Sequence, residues 1–400
     1  MFRHLLKLVW NRKRANFLII LEMLISFLVI FAVSLLTLSW ANNYRLPLGY
    51  DYHNVWAVSV TTPNTANDVV GDGRVPGASL RQMLRAAREL PEVLAAAGMS
   101  HSPYSGSKHG GGFKFNQRFV QCEFASASDE LPAVLGINVT RGRWFNDEDA
   151  SSNYRAVVIN QQMARETWGN EDPLGKIIEE EEMNNAEPQK PRRVVGVISE
   201  FRLQGEFETP VAFVFNRRDP AGAPGTLLLR TQPGVTAAFE EKLLRHLQAN
   251  ARDAAFSISP LEGLRETNQK LRTIPLTIFG LITAFLMLMV ALGLLGVLYQ
   301  NVTQRTREIG LRRALGAPAR AINRQILAEL LLMASLGVLV GVLMVAQFPL
   351  LEIFAFLSAE VFLTSMAIAL VIIYSLTIFC GLYPSWMATR VPPAEALHYD

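Results

Sequence analysis

The chain has 400 residues, 50% of them hydrophobic and 18% charged, a composition too apolar for a disordered chain. Its two cysteines, Cys122 and Cys380, are too few for a disulfide-stapled fold, so a large domain must be held by its core. Lys and Arg number 38 against 35 Asp and Glu, a formal charge of +3. No basic patch gathers on one folded segment, which excludes a nucleic-acid binder.

Residues 1–16 precede a long apolar segment at 17–40, and three more apolar segments stand at 274–299, 326–348 and 361–383. Each is about the length that crosses a hydrocarbon core of roughly 30 Å at about 1.5 Å per residue. The pattern predicts an α-helical membrane protein with four transmembrane helices, one plus three, around a large α+β extracytoplasmic domain at 41–273. The first segment exceeds a signal-peptide core, and Ser39-Trp40-Ala41 is a poor cleavage match, so an uncleaved anchor is expected. Cys122 and Cys380 then fall on opposite sides of a membrane boundary and are not expected to pair.

Charge predicts the orientation. Twelve Lys and Arg flank the spans at 3–14, 305–324 and 390, whereas the connection 349–360 has none. Basic short loops stay in the cytoplasm. Segment 1–16, loop 300–325 and tail 384–400 are therefore expected inside, with 41–273 and 349–360 outside. The large insert carries 26 of the cations and 28 of the acids, so the overall positive charge is a topology signal.

Within the insert, 55–62 alternates and is β-branched, as a half-buried strand requires. Residues 79–97 repeat apolar side chains at helical spacing, interrupted by Pro91. Further strands are predicted at 119–124, 156–160, 194–199, 212–215, 226–230 and 256–259. Helices are predicted at 161–168, ended by Gly169, at 236–250, with Thr236 as its cap, and at 261–272, running towards the second span. Strands and helices alternate on both sides of a polar stretch at 179–193, which predicts two small lobes.

Candidate chemistry is sparse. No G-x-x-x-x-G-K-[ST] or G-x-S-x-G occurs. Gly110-Gly111-Gly112 is expected to be a flexible loop. His101 and His109 lack a second Cys/His pair and are expected on a surface loop, with no metal. The acids 179–182 suit a solvated loop, and Asp147, Glu148 and Asp149, being successive, point different ways. No catalytic residue is assigned. Glu22 lies inside the first span, where an acid is costly. A functional and an interfacial role both remain open for it.

The strongest local signal is in loop 300–325. Helix formers run from Arg307 to Leu315, Gly316 suits the residue after a helix end, and Pro318 can open the next helix. Leu311 and Leu315 share a face while Arg312 and Arg313 lean away. By position alone this short helix could lie on anionic lipid or dock on a soluble partner. Gly280, Gly293, Gly296, Gly337, Gly341 and Gly381 punctuate the last three spans. Gly337 and Gly341 form a small-xxx-small pair, which suits either a dimer contact or packing within one subunit.

The run Arg307-Glu308-Ile309-Gly310-Leu311-Arg312-Arg313-Ala314-Leu315-Gly316-Ala317 resembles the signature of MacB/FtsX-like permeases of ABC transporters. Arg390-Val391-Pro392-Pro393-Ala394-Glu395-Ala396-Leu397 is similar to that family's tail, and Arg141-Gly142-Arg143-Trp144-Phe145 to its G-R-x-F element. Residues 156–168, 173–177 and 194–197 are similar, in the same order, to its V-V-I-N strand and helix, its P-x-G-K/R-x-I element and its V-V-G-V strand.

The resemblance implies a stand-alone permease in a bacterial cell (inner) membrane, multi-pass, both termini cytoplasmic. It implies a partner ABC ATPase that holds the ATP and Mg, because only sixteen residues precede the first span. No cofactor is expected on this chain. A second permease, as homodimer or heterodimer, a periplasmic adaptor and membrane lipid are the other implied partners. Coupling to the ATPase would fall on Arg307, Glu308, Ile309, Gly310, Leu311, Arg312, Leu315 and Gly316. The implied function is mechanotransmission: ATPase motion reshapes the external domain to expel or extract a drug, peptide, lipid or lipoprotein. An FtsX-like regulator of a cell-wall hydrolase and a transmembrane sensor are the alternatives.

Overall fold

The computed structural model describes residues 13–61, 79–115, 118–178, 190–252, 254–304, 311, 315, 318–350 and 358–388. In chain order the elements are α1 (Lys13–Tyr44), β1 (Val55–Thr61), α2 (Leu80–Arg88), β2 (Val93–Met99), β3 (His109–Phe115), β4 (Arg118–Ala127), α3 (Leu131–Leu135) and β5 (Val139–Gly142). Then come β6 (Arg155–Asn160), α4 (Gln161–Trp168), β7 (Ile177–Ile178), β8 (Arg192–Ile198), β9 (Ala212–Arg217), β10 (Thr226–Thr231), α5 (Ala237–Asn250) and β11 (Ala255–Pro260). The chain continues with α6 (Leu261–Gln304), α7 (Ala319–Val345), α8 (Gln347–Leu350) and α9 (Ala359–Ala388). It divides into two compact units, Met1–Ala41 with Thr273–Asp400, and Asn42–Arg272.

The 42–272 unit is built on one sheet in the order β11-β1-β10-β2-β4-β9-β6-β8-β5, with β3 added to β4 and β7 to β8. A single register pair, Met99 with Ala127, joins β2 to β4. Alternation along the strands explains how two lobes arise from one sheet. On one face, Val55 and Ala57 of β1, Val158 of β6 and Phe213 and Phe215 of β9 share a core that runs through both halves. On the other face the core splits. Trp56, Val58, Leu227 and Leu229 pack under α2 and α5. Val157, Ile159, Val194 and Val214 pack under α4. The lobes are thus halves of one sheet, each with its own helical cover.

Local sequence accounts for most elements. Ser79 and Gln82 form a capping box at the start of α2, whose Leu80, Met83, Leu84 and Ala87 are buried. The helix expected to run on to residue 97 ends at Arg88, and Val93–Met99 is strand β2. Pro91 breaks the helix. The alanines after it read as helix formers, but small side chains let α2 lie directly on the strand. A Cβ on Gly98 would come within 2.5 Å of the Leu80 side chain. Helix α3 was not foreseen either; Gly136, with φ of 64°, closes it after five residues. Thr236 takes the N-cap position of α5, but its side chain makes no capping bond.

Gly110–Gly112 is not a loop. It lies in β3 and pairs with β4 in antiparallel register, Gly111 opposite Cys122 and Gly112 opposite Gln121. A Cβ on Gly112 would come within 2.3 Å of the Phe119 ring, and one on Gly111 within 2.9 Å of the Phe124 ring. The bare backbone is covered by aromatics from the neighbouring strand, which is how a glycine tract sustains a ladder.

Among the described residues four helices are long and apolar enough to cross a membrane, over Phe17–Tyr44, Leu261–Gln300, Arg320–Val345 and Ala359–Leu382. In the 1–41 and 273–400 unit they share a core. Met23, Phe27 and Ile30 of α1 pack with Val290 and Leu294 of α6, Met333 and Val338 of α7 and Ala369 and Ile373 of α9. Outward faces remain apolar, as at Phe285, Leu292, Leu339 and Val371, which suits hydrocarbon rather than water. The third span ends at Val345, a little before the expected residue 348. The second is part of a helix that starts at Leu261, directly after the last residue of β11. The acids 179–182 and the tail motif at 390–397 lie outside the described residues.

Candidate functional site

Of the coupling residues read from the sequence, Leu311 and Leu315 are described. Arg307, Glu308, Ile309, Gly310, Arg312 and Gly316 lie outside the described residues. The Leu315 N–H donates to the Leu311 carbonyl at 3.0 Å, one helical turn. Both side chains are exposed, Leu315 at 80%. Two exposed leucines one helical turn apart are an apolar edge of the kind a partner surface covers.

In the membrane unit the glycines set helix contacts. A Cβ on Gly337 would lie 2.7 Å from the Ile20 carbonyl oxygen, and one on Gly341 2.5 Å from the Phe27 ring. Both glycines of the pair therefore face α1 of the same chain. Glu22 is next to Gly293 of α6, where a Cβ would lie 3.0 Å from its carboxylate. Gly280 and Gly296 have nothing within 4 Å. Two polar features in the spans were missed by the sequence reading. Glu329 accepts a hydrogen bond from Gln325 at 3.4 Å, and Ser335 of α7 and Tyr374 of α9 share one at 3.0 Å.

Among the acids of the 42–272 unit, Asp149 is structural. Its carboxylate accepts two hydrogen bonds from Arg143 at 2.7 Å and one from the Asn146 N–H at 3.0 Å. Arg143 holds the Asp149 carboxyl below the ordinary range despite burial. The neighbouring Asp147 is fully exposed and lies 3.4 Å from Arg217. The three successive acids do not converge. His101 and His109 do come together, with ring centroids 5.0 Å apart, and His109 stands on β3 rather than on a loop. Burial, then His109 and Arg218, pull the His101 pKa down, a field that disfavours a bound cation. Among the described residues no group of three His, Cys, Asp or Glu could hold a metal. Cys122 is buried, and burial pushes its thiol up to about 12, so it is no nucleophile.

One buried polar cluster of the 42–272 unit carries no signal in the sequence analysis. It centres on loop 199–209, and its hub is Arg202, only 2% exposed. The guanidinium donates to the carbonyls of Asn43 at 2.8 Å, Leu46 at 3.1 Å, Glu206 at 2.5 Å and Glu208. Glu206 forms an ion pair with Arg265 of α6, whose guanidinium stands 4.6 Å from the Tyr52 ring centre. Burial pulls the Arg202 guanidinium below its ordinary range, and Glu206 opposes that. Beside it, Lys108 bridges Glu123 at 3.0 Å and Glu208 at 3.3 Å. Burial, then Glu208, raises the Glu123 carboxyl. In the sequence it is one arginine between Glu200 and Glu206 in an unpatterned stretch.

The family described as MacB-like periplasmic core domain matches residues 17–245, and the FtsX-like permease C-terminal family matches 280–393. The ABC transporter permease YvrN of Bacillus subtilis (strain 168) is 29% identical over 68% of this chain and 69% of its own length. The macrolide export ATP-binding/permease protein MacB of Chlorobium luteolum is 26% identical over 82% of this chain but only 49% of its own length. The chain thus spans about half of that relative. The crystallised periplasmic region of MacB from Actinobacillus actinomycetemcomitans aligns over 55% of this chain and 94% of its own, at 14% identity and a TM-score of 0.39. The two family matches, taken in order along the chain, place it in the MacB-like, FtsX-like permease family of ABC transporters.

Proposed function

We propose that this chain is the permease subunit of an ABC-type mechanotransmission complex. It receives motion from a separate cytoplasmic ATPase at 305–317 and delivers it to the 42–272 domain, which expels or extracts a substrate on the outer side. Both termini are cytoplasmic in this reading, and the chain binds no nucleotide itself. The observation that carries it is α6. That helix of 44 residues, with Pro275 inside it, carries the second span and starts in the 42–272 unit with no loop between. It begins at Leu261, which is fully buried in the sheet core directly after β11. Motion of the first turns of α6 reaches β11 directly, because no residue separates the two elements.

The absence of a charged stripe through the described spans supports this over a polar pore: Glu22 and Glu329 each stand beside a glycine or a glutamine, not in a row. Relatives named for macrolide and syringafactin export support export rather than hydrolase regulation. The test is ATP turnover of the reconstituted complex. Glu308→Arg with Leu311→Asp should abolish stimulation by the permease while leaving it folded, and the permease alone should not hydrolyse ATP. Unchanged stimulation, or turnover by the isolated chain, contradicts the proposal.

A further inference from the structure

We infer that Arg202 is the positioning residue of this transmission: it ties the outer turn of α1 and the first turns of α6 to one loop, and through that loop to the β3–β4 hairpin. The inference rests on the mechanotransmission reading and deepens it.

Three lines of contact meet at residues 202–208, a segment that the Arg202 side chain ties together. The first is α1. Asn43 stands in the last turn of α1 and Leu46 just past its end, where the Leu46 N–H already donates to the Asn43 carbonyl at 3.2 Å. One guanidinium nitrogen of Arg202 donates to the carbonyls of both residues. The main chain of Arg202 holds the same segment, its N–H donating to the Leu48 carbonyl at 3.1 Å and its carbonyl accepting from the Tyr50 hydroxyl at 3.2 Å. The second line is α6. The other guanidinium nitrogen fixes the carbonyls of Glu206 and Glu208, and the Glu206 carboxylate holds Arg265. The third line is the hairpin. The Tyr104 N–H donates to the Leu203 carbonyl at 2.9 Å, and the Gln204 side chain donates to the Ser107 carbonyl at 2.9 Å. Lys108, bound to Glu208, immediately precedes β3 and pairs with Glu123 on β4.

The chemistry is that of a rigid coupler. A planar guanidinium directs its donors in fixed directions, which a lysine does not. Its four acceptors are all main-chain carbonyls, so it constrains backbone rather than side-chain rotamers. A merely space-filling role would be met at less cost by an apolar side chain, because a buried cation must be repaid for its lost water. Residues 43, 202 and 265 are far apart in sequence, yet the Arg202 side chain holds Asn43 directly and Arg265 through Glu206.

The experiment uses the full chain in lipid nanodiscs with its ATPase subunit, spin-labelled at two exposed positions, Leu94→Cys on β2 and Gln121→Cys on β4. In the otherwise native chain the distance between labels should shift on trapping with ATP and vanadate. In Arg202→Met the shift should be lost while the ATP turnover of the complex persists, a split that a folding defect would not give. A retained shift in Arg202→Met overturns the inference and leaves the mechanotransmission reading standing. No shift in the native chain overturns both. If Arg202→Met does not assemble, Arg202→Lys decides: it keeps the cation and loses the fixed fork, so loss of the shift with turnover kept supports the inference and a retained shift overturns it.

Discussion

Gly337 on α7 lies against the main chain of Ile20 on α1, so close that a Cβ would stand 2.7 Å from the Ile20 carbonyl oxygen and 2.9 Å from the Met23 Cβ. Backbone cannot yield there as a side chain would. Gly337→Leu should therefore push the two helices apart, with an overpacking cost of about 1–3 kcal/mol. Gly296→Leu, with open space around it, should be tolerated. The apparent melting midpoints of the two purified variants check this, and equal midpoints would contradict it.

Gly49 carries the corresponding constraint in the 42–272 domain. Its φ is +85°, and a Cβ would lie 1.8 Å from the Glu200 carbonyl oxygen. Gly106 has φ of +75°, and a Cβ there would meet nothing within 4 Å. Gly106→Ala should show only the backbone term, about 1 kcal/mol, whereas Gly49→Ala adds a collision with main chain and should displace loop 199–209. Protease nicking of that loop, compared between the two variants, reads the difference.

Asp149 sets an acid limb. Arg143 and the Asn146 N–H depress its folded pKa, so the unfolded chain binds the proton more readily. Its stabilisation is whole above the unfolded carboxyl value of about 3.9 and fades as pH falls through the lower folded value. Asp149→Asn should cost about 1–3 kcal/mol at neutral pH and flatten the loss of stability on acidification. Unfolding midpoints of the two proteins, followed by tryptophan fluorescence from neutral pH downward, test the sign.

The spans were legible because hydrocarbon imposes one requirement, a long apolar run, and residues such as Phe27 and Leu294 satisfy it by composition alone. Strands β1, β6 and β10 were legible for a similar reason, their β-branched and aliphatic side chains being buried. Strand β2 was not, since its alanines favour a helix until α2 and the sheet are both in place. Gly110–Gly112 misled because the signal that makes it a strand, Phe119 and Phe124, sits on another strand. Arg202 was invisible for the deepest reason: its partners are main-chain carbonyls, which no side-chain pattern records.

Orientation has its own measurement. A reporter fused after Asp400 should be active only when it is a cytoplasmic one, because the cations flanking the spans gather at 3–14, 305–324 and 390. Activity of an exported reporter at that position would invert the topology and place 305–317 out of an ATPase's reach.

The account depends most on the contact between loop 305–317 and an ATPase. A photo-crosslinker at Leu315, which is 80% exposed, tests it in membranes of cells producing the full chain and its ATPase. The prediction is a covalent adduct with the ATPase subunit, absent when the same crosslinker replaces Leu94 in the 42–272 domain. An equally labelled Leu315 that captures only lipid, with the ATPase present, would contradict the account.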